Sequence, residues 1–490
     1  MNPKIIRVAI EPSLAIDYGA EIHWTLRLLL STGGWIWREV SIQEEAEIAF
    51  VLDPAKAPDA GLVVIANHNA WANPQDYRLG SLQLWQELEF ITYKGESFDS
   101  DLFIIDDKGR YISQRDLLFD LFWLVTGQEE GYFTQIKHGY YDLTGTNYLQ
   151  DGFFRQAIAS GIIKWFENNL RSRHFQPYLP YWPNNKQMVA ITTHDVDYPE
   201  VVRWLEPLRI MRRPIKQRAK LAIEVLLGKR NHWRFSDWRK LEKRFETPSV
   251  FFFVARQGSL LEYATKVPDT FYDIMTPVFR DIFSYLQDEG CEIGLHASYL
   301  AYENYEKFLA EKEKLERAAN TVVFGNRHHY WHVSPTDIEE TLLLHEKIGL
   351  SYDSSIGHNR YTGWRRSIST PYFPFISKEG RELKTLQIST NWMDDQLFQY
   401  QAYNLGERQT ILREMADRAY QYNGIFVVDI HQYCFDHELF PDMTKQYQLL
   451  WQYLTDFKNV WFATAKEVSQ YWHSRYNQII ANSQGLEMGK

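Results

Sequence analysis

A chain of 490 residues with 45% apolar and 24% charged residues is a folded protein too long for one small domain, so two domains are expected. A net charge of −10 argues against non-specific nucleic-acid binding by the whole surface, and two cysteines, Cys291 and Cys434, exclude a disulfide framework or a cysteine-built zinc site. No apolar run in the first 24 residues suits a signal peptide or a membrane span, and the expectation is a cytoplasmic protein.

Residues 1–135 carry short strands, "KIIRVAI", "AEIAFVL", "GLVVIAN" and "LFIID", with helical patterns near 18–31 and 114–126. They predict a small mixed α/β domain. His68 in the "NHNAWANPQD" loop reads as a hydrogen-bonding loop residue. Residues 136–184 form a connector: a helical stretch near 153–170, then the Pro- and aromatic-rich "FQPYLPYWPNNKQ" at 175–187.

From 185 to 475 short apolar strands alternate with amphipathic helices. The strands are "VAITT" (189–193), "VFFFV" (250–254), "EIGLH" (292–296), "TVVFG" (321–325), "LSYDS" (350–354), "LKTLQIS" (383–389), "GIFVVDI" (424–430) and "VWFAT" (460–464). Thr276 and Pro277 open one helix and Gly290 ends it; Ser334 and Pro335 open another and Gly349 ends it. The alternation predicts a parallel sheet closed into a (β/α) barrel of seven or eight strands, an open doubly wound sheet being the alternative. Residues 476–490 read as a polar tail.

One segment runs against the global charge. From Arg203 to Arg244 there are 14 Lys and Arg and four acids, so it carries +10 and the remainder −20. Its basic residues mix with Leu, Ile and Val at near-helical spacing. That pattern suits a solvated helical cover, or peripheral contact with an anionic surface such as the inner membrane face or a charged glycan.

Ionisable residues gather at strand ends. His194, Asp195 and Asp197 follow the first barrel strand, His296 ends the third, and Arg327, His328 and His329 follow the fourth. Asp353 ends the fifth and His431 follows "FVVDI". This is the face on which such barrels carry chemistry. Asp195 and Asp197 share one side of a strand and repel each other, so they require a positive partner. The reading is a metal ion bound with His296, assisted by Arg327.

In this order the residues resemble the polysaccharide deacetylase family, of the carbohydrate esterase family four type, over about 185–472. "THDVD" is similar to the family's opening Thr-Phe-Asp-Asp-Gly, "GLHASYL" to its His-x-x-x-His, and "RHHY" to its Arg-x-Pro-Tyr. "YDSS" resembles the segment that contributes an Asp, and "VVDIH" the strand that ends in His. The likeness is greatest to a divergent branch with an HDVD motif and an extra N-terminal domain. Two departures remove metal ligands: Val196 stands at the second Asp and Leu300 at the second His. Asp197 and His329 are the expected replacements, with His328 or His194 as fallback.

The resemblance implies a hydrolase that removes an acyl group, N-acetyl first, from a sugar or polysaccharide, in envelope glycan biosynthesis and on a lipid-linked substrate. It implies zinc or another divalent ion on Asp197, His296 and His329. Asp195 would act as base, with Arg327 keeping it ionised, and the Tyr330 N–H would stabilise the oxyanion. His431, oriented by Asp353, would be the acid. Trp331, Trp364 and Trp392 are candidate sugar-stacking walls, and Asp394 and Asp395 candidate rim contacts. Two alternatives stay open: a glycan-binding protein that kept the barrel and lost the metal, and a metal-dependent hydrolase of non-sugar amides of deformylase or ureide type.

Overall fold

The structure is a computed structural model that describes residues 4–98, 100–135, 138, 140–150, 152–199, 215–227 and 232–485. Much of the basic segment, 200–214 and 228–231, lies outside the described residues.

The first domain is built on strands β1 (Ile6–Ile10), β2 (Trp37–Val40), β3 (Ala46–Val51), β4 (Ala60–Ile65), β7 (Phe103–Ile105) and β8 (Tyr111–Ser113). Their order is β2-β1-β3-β4-β8-β7, parallel except for β7. A separate hairpin pairs β5 (Leu79–Trp85) with β6 (Leu88–Tyr93). Its two-residue turn, Gln86-Glu87, lacks the Asn-Gly or Gly signal of such turns, and Gln86 carries the positive φ of 53°. That is why the sequence gives no sign of the hairpin. The helix Ile158–Ser172 repeats apolar residues at Ile158, Ile162, Phe166 and Leu170 and buries them in the same core as β1, β3 and β4. The connector's helix is therefore part of the first domain's core.

The second domain is a nine-stranded sheet. Its strands are β9 (Met188–Val196), β10 (Ser249–Phe253), β11 (Glu292–Ala297), β12 (Gly325–His328), β13 (Tyr352–Asp353), β16 (Leu386–Gln387), β17 (Trp392–Met393), β18 (Ile425–Asp429) and β19 (Val460–Phe462). A small antiparallel pair, β14 (Phe375–Ile376) and β15 (Arg381–Glu382), sits apart. Every pairing in the large sheet is parallel. From β9 the order runs β10, β11, β12, β13, β16 on one side and β18, β17 on the other, with β19 also on β9. Followed around, this is barrel order with a single break, between β16 and β17. Residues 388–391 cross the break: Ile388 N–H donates to Asp353 O at 2.9 Å and Asn391 N–H to Val427 O at 3.1 Å. The sheet is a curled (β/α) barrel, open at that seam.

Alternation divides the strands into two faces. Val189, Ile191, Val250, Phe252, Tyr352, Ile425 and Val427 fill the interior, while Ala190, Phe426 and Val428 pack outward against the helices. The fourth strand starts later than its apolar run suggests: "TVVF" is the approach, Val322 is exposed, and pairing begins at Gly325. A Cβ on Gly325 would fall within 1.9 Å of the Tyr352 ring, so only glycine lets β12 and β13 close up here. Asp337, not Ser334, caps the helix Ile338–Lys347, accepting from Glu339 N–H. Residues 476–485 are not a tail: they continue the helix Ala465–Gly485, with Ile479 buried, Tyr476 OH on Glu382 at 2.8 Å and the Ser483 hydroxyl accepting from Trp37 N–H.

One buried acid beneath the site gives a test of this packing. Glu311, on the helix Tyr305–Ala319, accepts from Ser298 N–H at 2.8 Å and contacts Ser298 Oγ, just past β11. Burial pushes its carboxyl from the ordinary 4.5 up to about 7. The fold thus favours the protonated acid, and that stability is complete below pH 4.5 and lost as pH rises through 7. Glu311→Gln keeps the shape and both contacts without the charge. Calorimetry should find equal Tm values at pH 5 and a variant more stable by roughly 2–4 °C per kcal/mol at pH 8. Equal values at both would overturn the assignment.

Candidate metal centre and acid–base site

The inward set on β9 continues from Ile191 to Thr193 and Asp195, and Asp197 follows on the same side. His194 faces out. Its Nε2 lies 2.6 Å from Glu242 Oε1 and its Nδ1 2.6 Å from Ile430 O, so both ring nitrogens are committed behind the sheet. His328 faces out too, with Nε2 2.9 Å from His345 Nε2. Neither fallback ligand reaches the interior.

Asp197, His296 and His329 do meet there. Their ligand atoms lie within 4.8 Å of one another, and all three residues are buried. His296 Nε2 is 3.3 Å and His329 Nε2 3.6 Å from Asp197 Oδ1. The His296 Nδ1 is 2.7 Å from Arg327 O, an atom that can only accept, so Nδ1 carries the hydrogen and Nε2 presents a lone pair. Asp269, which accepts from Tyr299 N–H and from Arg256, both at 2.7 Å, plays the same part for His329 Nδ1 at 3.5 Å. Asp197 Oδ1 and His329 Nε2 are buried with no hydrogen-bond partner. A carboxylate and two imidazole nitrogens facing one another in a buried site, each backed by its own second partner, fit a divalent cation. With protons alone, burial lowers the His329 pKa, but Asp197 and Asp269 outweigh it and hold it at about 9.

Arg327 crosses the barrel beside this group, fully buried. Its Nη1 donates to Thr193 Oγ1 and Asp195 Oδ1, both at 2.8 Å, and its Nη2 to Thr390 Oγ1 at 2.9 Å and Ser354 Oγ at 3.2 Å. Its guanidinium carbon lies 4.5 Å from the centre of the Phe252 ring. Asp429 Oδ1 is 3.1 Å from Nη1 without hydrogen-bond alignment. Burial raises the Asp195 pKa, but Arg327, His296 and His431 together outweigh it and Asp195 stays ionised. Asp429, equally buried and next to the Asp195 charge, is pushed well above the carboxylate range and holds its proton.

His431 projects inward two residues beyond Asp429. Its Nδ1 lies 2.9 Å from Asp394 Oδ2, which also accepts the His431 backbone N–H at 2.8 Å, and its Nε2 is 3.3 Å from Asp197 Oδ2. Burial opposes the imidazolium, but Asp394 and Asp197 hold its pKa well above the ordinary value. The orienting carboxylate expected at Asp353 is therefore Asp394. Tyr352 points inward, so Asp353 must point outward, where it accepts from Asn326 Nδ2 at 3.0 Å and Ser355 Oγ at 2.6 Å.

These groups open into a cavity of about 420 Å³, lined also by Tyr140, Tyr198, Tyr330, Tyr400, Tyr433 and Trp331. Trp364 and Trp392 are fully buried in the outer core and form no wall. Asp395 is on the rim, whereas Asp394 is buried behind His431. Tyr330 and Trp331 take φ of 60° and 50°, a strained conformation for bulky side chains, and Asn359 Nδ2 holds Tyr330 O at 2.7 Å. A larger cavity, about 580 Å³, lies in the first domain far from this chemistry, and its Arg115, Asp120 and Glu96 are already paired with each other. Sequence reading missed Asp429 and Asp269. Asp429 shares the inward face two residues before His431, a legible signal; Asp269 lies in a long loop with none.

No family model and no curated protein matches the chain. Among solved structures it is similar to a candidate polysaccharide deacetylase from Mycobacterium smegmatis, at 15% identity over 60% of this chain and 93% of the other, with a TM-score of 0.41. It is similar to Puue allantoinase at 17% identity, 61% and 94% coverage and TM-score 0.41. The polysaccharide deacetylase Bc1974 from Bacillus cereus aligns at 12% identity, 59% and 99% coverage and TM-score 0.28.

Purified protein should hold about one divalent ion per chain by elemental analysis, and His296→Ala should lose it, since two protein donors compete poorly with water. Stoichiometric metal in that variant would overturn the donor set.

Proposed function

We propose that the protein is a metal-dependent hydrolase that removes an N-acyl group, acetyl first, from an amino sugar or its polymer. The observation that supports this best is the convergence of three devices in one aromatic-lined cavity. They are the Asp197–His296–His329 group, an ionised Asp195 held by Arg327, and a protonated His431 held by Asp394. A base and an acid whose surroundings drive their proton affinities apart are what acyl transfer to water needs.

Asp197, His296 and His329 would hold the ion, which when bound supplies a Lewis acid for the acyl carbonyl and for the attacking water. Asp195 takes a proton from that water as oxygen adds to the acyl carbon. Arg327 keeps Asp195 ionised between turnovers and, hydrogen-bonded to Thr193, Ser354 and Thr390 as well, fixes its position. The Tyr330 N–H, at a residue whose backbone is strained and whose carbonyl, on the following peptide, is held by Asn359, is assigned to the developing oxyanion. As the carbon–nitrogen bond breaks, His431 Nε2 gives its proton to the departing amine. The products are a carboxylate and a free amino sugar. The rim tyrosines offer flat faces for sugar rings.

Amine release from N-acetylated sugars is the direct test. Asp195→Asn should fold and bind metal with turnover largely lost, and His431→Ala should lose roughly 10²- to 10⁴-fold in kcat. Asp394→Asn should cost at least about tenfold in kcat by releasing His431, whereas Asp353→Asn should act on stability alone. Full activity in Asp195→Asn or His431→Ala would mean that the roles are wrong.

A further inference from the structure

Arg360 is the one Lys or Arg lining the cavity among the described residues, and the mechanism does not use it. The other buried arginines nearby have carboxylate partners: Arg327 has Asp195, and Arg365 and Arg366 share Glu130. Arg360 makes no ion pair among the described residues. Its Nε is buried without an acceptor, and its guanidinium carbon is 5.8 Å from the centre of the Tyr400 ring. Asp395, on the same rim, has an interaction of its own.

The residue is held in place. Gln401 Nε2 donates to Arg360 O at 3.3 Å, and Gln396 Nε2 bonds the carbonyls of His358 and Tyr361 on either side. Asn359 is tied to Tyr330 O. Five residues on, Arg365 Nε and Nη2 donate to Glu130 at 2.9 and 2.8 Å, and Arg366 Nη2 is 3.0 Å away from it, which pins this loop to the first domain. A partly desolvated guanidinium on an ordered backbone, with no ion pair among the described residues and only the exposed carboxylate of Asp142 acting on it at longer range, matches a planar or tetrahedral oxyanion, and the binding cost is small because the loop is already ordered.

We infer that the acyl sugar taken by this cavity carries an anionic group, a carboxylate or a phosphate, that pairs with Arg360. The inference rests on the hydrolase reading of the same site and adds its substrate class. Near the metal donors, Asp195 and Asp197 repel an anion, so the charge would sit on the Arg360 side while the acyl group faces Asp195. A cavity of about 420 Å³ lies within the size that encloses such a small ligand.

Three probes separate the possibilities: a neutral N-acetylglucosamine disaccharide, an N-acetylated amino-uronic acid, and N-acetylglucosamine 6-phosphate. The metal-loaded enzyme should release amine from one of the charged sugars with kcat/KM at least about tenfold above the neutral one. Arg360→Gln should raise KM for that sugar roughly 10- to 100-fold with kcat little changed, so that the preference collapses. Arg360→Lys should recover more for a phosphate than for a carboxylate, because lysine supplies a point charge and no planar fork. No charged-over-neutral preference, or one that survives in Arg360→Gln, overturns the inference and leaves the hydrolase reading intact. Calorimetric binding to Asp195→Asn keeps the two apart. Binding of the charged sugar that Arg360→Gln abolishes, with no amine released from any probe by the wild type, supports the anionic ligand and sinks the hydrolase reading.

Discussion

One buried guanidinium organises the second domain. A parallel barrel is held by its strands' hydrogen bonds, but this one is open between β16 and β17 and needs something to tie the two sides of the seam together. Arg327 bonds Thr193 and Asp195 on β9, Ser354 after β13 and Thr390 inside the seam, and lies over Phe252 of β10. An unpaired cation so placed would cost several kcal/mol. It is tolerated because Asp195 is ionised opposite it. The base of the proposed reaction and the support of the barrel are thus two ends of one ion pair, and the bonds from Arg327 to Thr193, Ser354 and Thr390 keep the guanidinium in place when Asp195 takes up a proton.

A second carboxylate, Asp429, reaches the same guanidinium, and one positive charge cannot hold two buried negative ones. The hydrogen bond from Arg327 goes to Asp195, while Asp429 lacks any aligned donor. The charge therefore stays on Asp195 and the proton on Asp429. The neutral acid fills the space below His431 and adds no negative charge there. That leaves Asp394 and Asp197 as the carboxylates that set the proton on His431.

Much of this is legible in the sequence. The strands and their C-terminal ionisable residues follow from apolar runs punctuated by caps and glycines, and Asp195, Asp197, His296, His329 and His431 all line one cavity, with Arg327 buried behind Asp195. What sequence could not give was facing. Asp353 is as near the end of its strand as His431 is to its own, yet Tyr352 occupies the inward slot and turns Asp353 out toward Asn326 and Ser355. Asp394 escapes that rule because β17 is only two residues long and the chain coils at once into the turn Gln396–Tyr400. The seam, and the sharing of Glu130 between Arg365 and Arg366, are long-range facts with no local signature. The hairpin β5–β6 was hidden by a turn made of Gln and Glu.

Facing also accounts for the two motif departures. Strand β9 stays regular through Val196, whose side chain packs outward with Phe251, Phe253 and Leu295. A carboxylate at 196 would be buried in that apolar layer, away from His296, at a cost of several kcal/mol. One residue later the alternation returns to the interior, and the carboxylate of Asp197 lands 3.3 Å from His296 Nε2. The same count applies to the imidazole. On β12 Arg327 faces in and His328 out, so the next inward position is His329, at the strand's end, where it meets Asp197. Leu300 lies beyond β11, after the Ser298 that anchors Glu311, and is not called on. In the proposed donor set, a carboxylate one residue further along β9 and an imidazole from a neighbouring strand bring three donor groups to one pocket without altering a strand register. Asp197 and His329 each stand two positions beyond an inward-facing residue, Asp195 and Arg327, as the period of two requires.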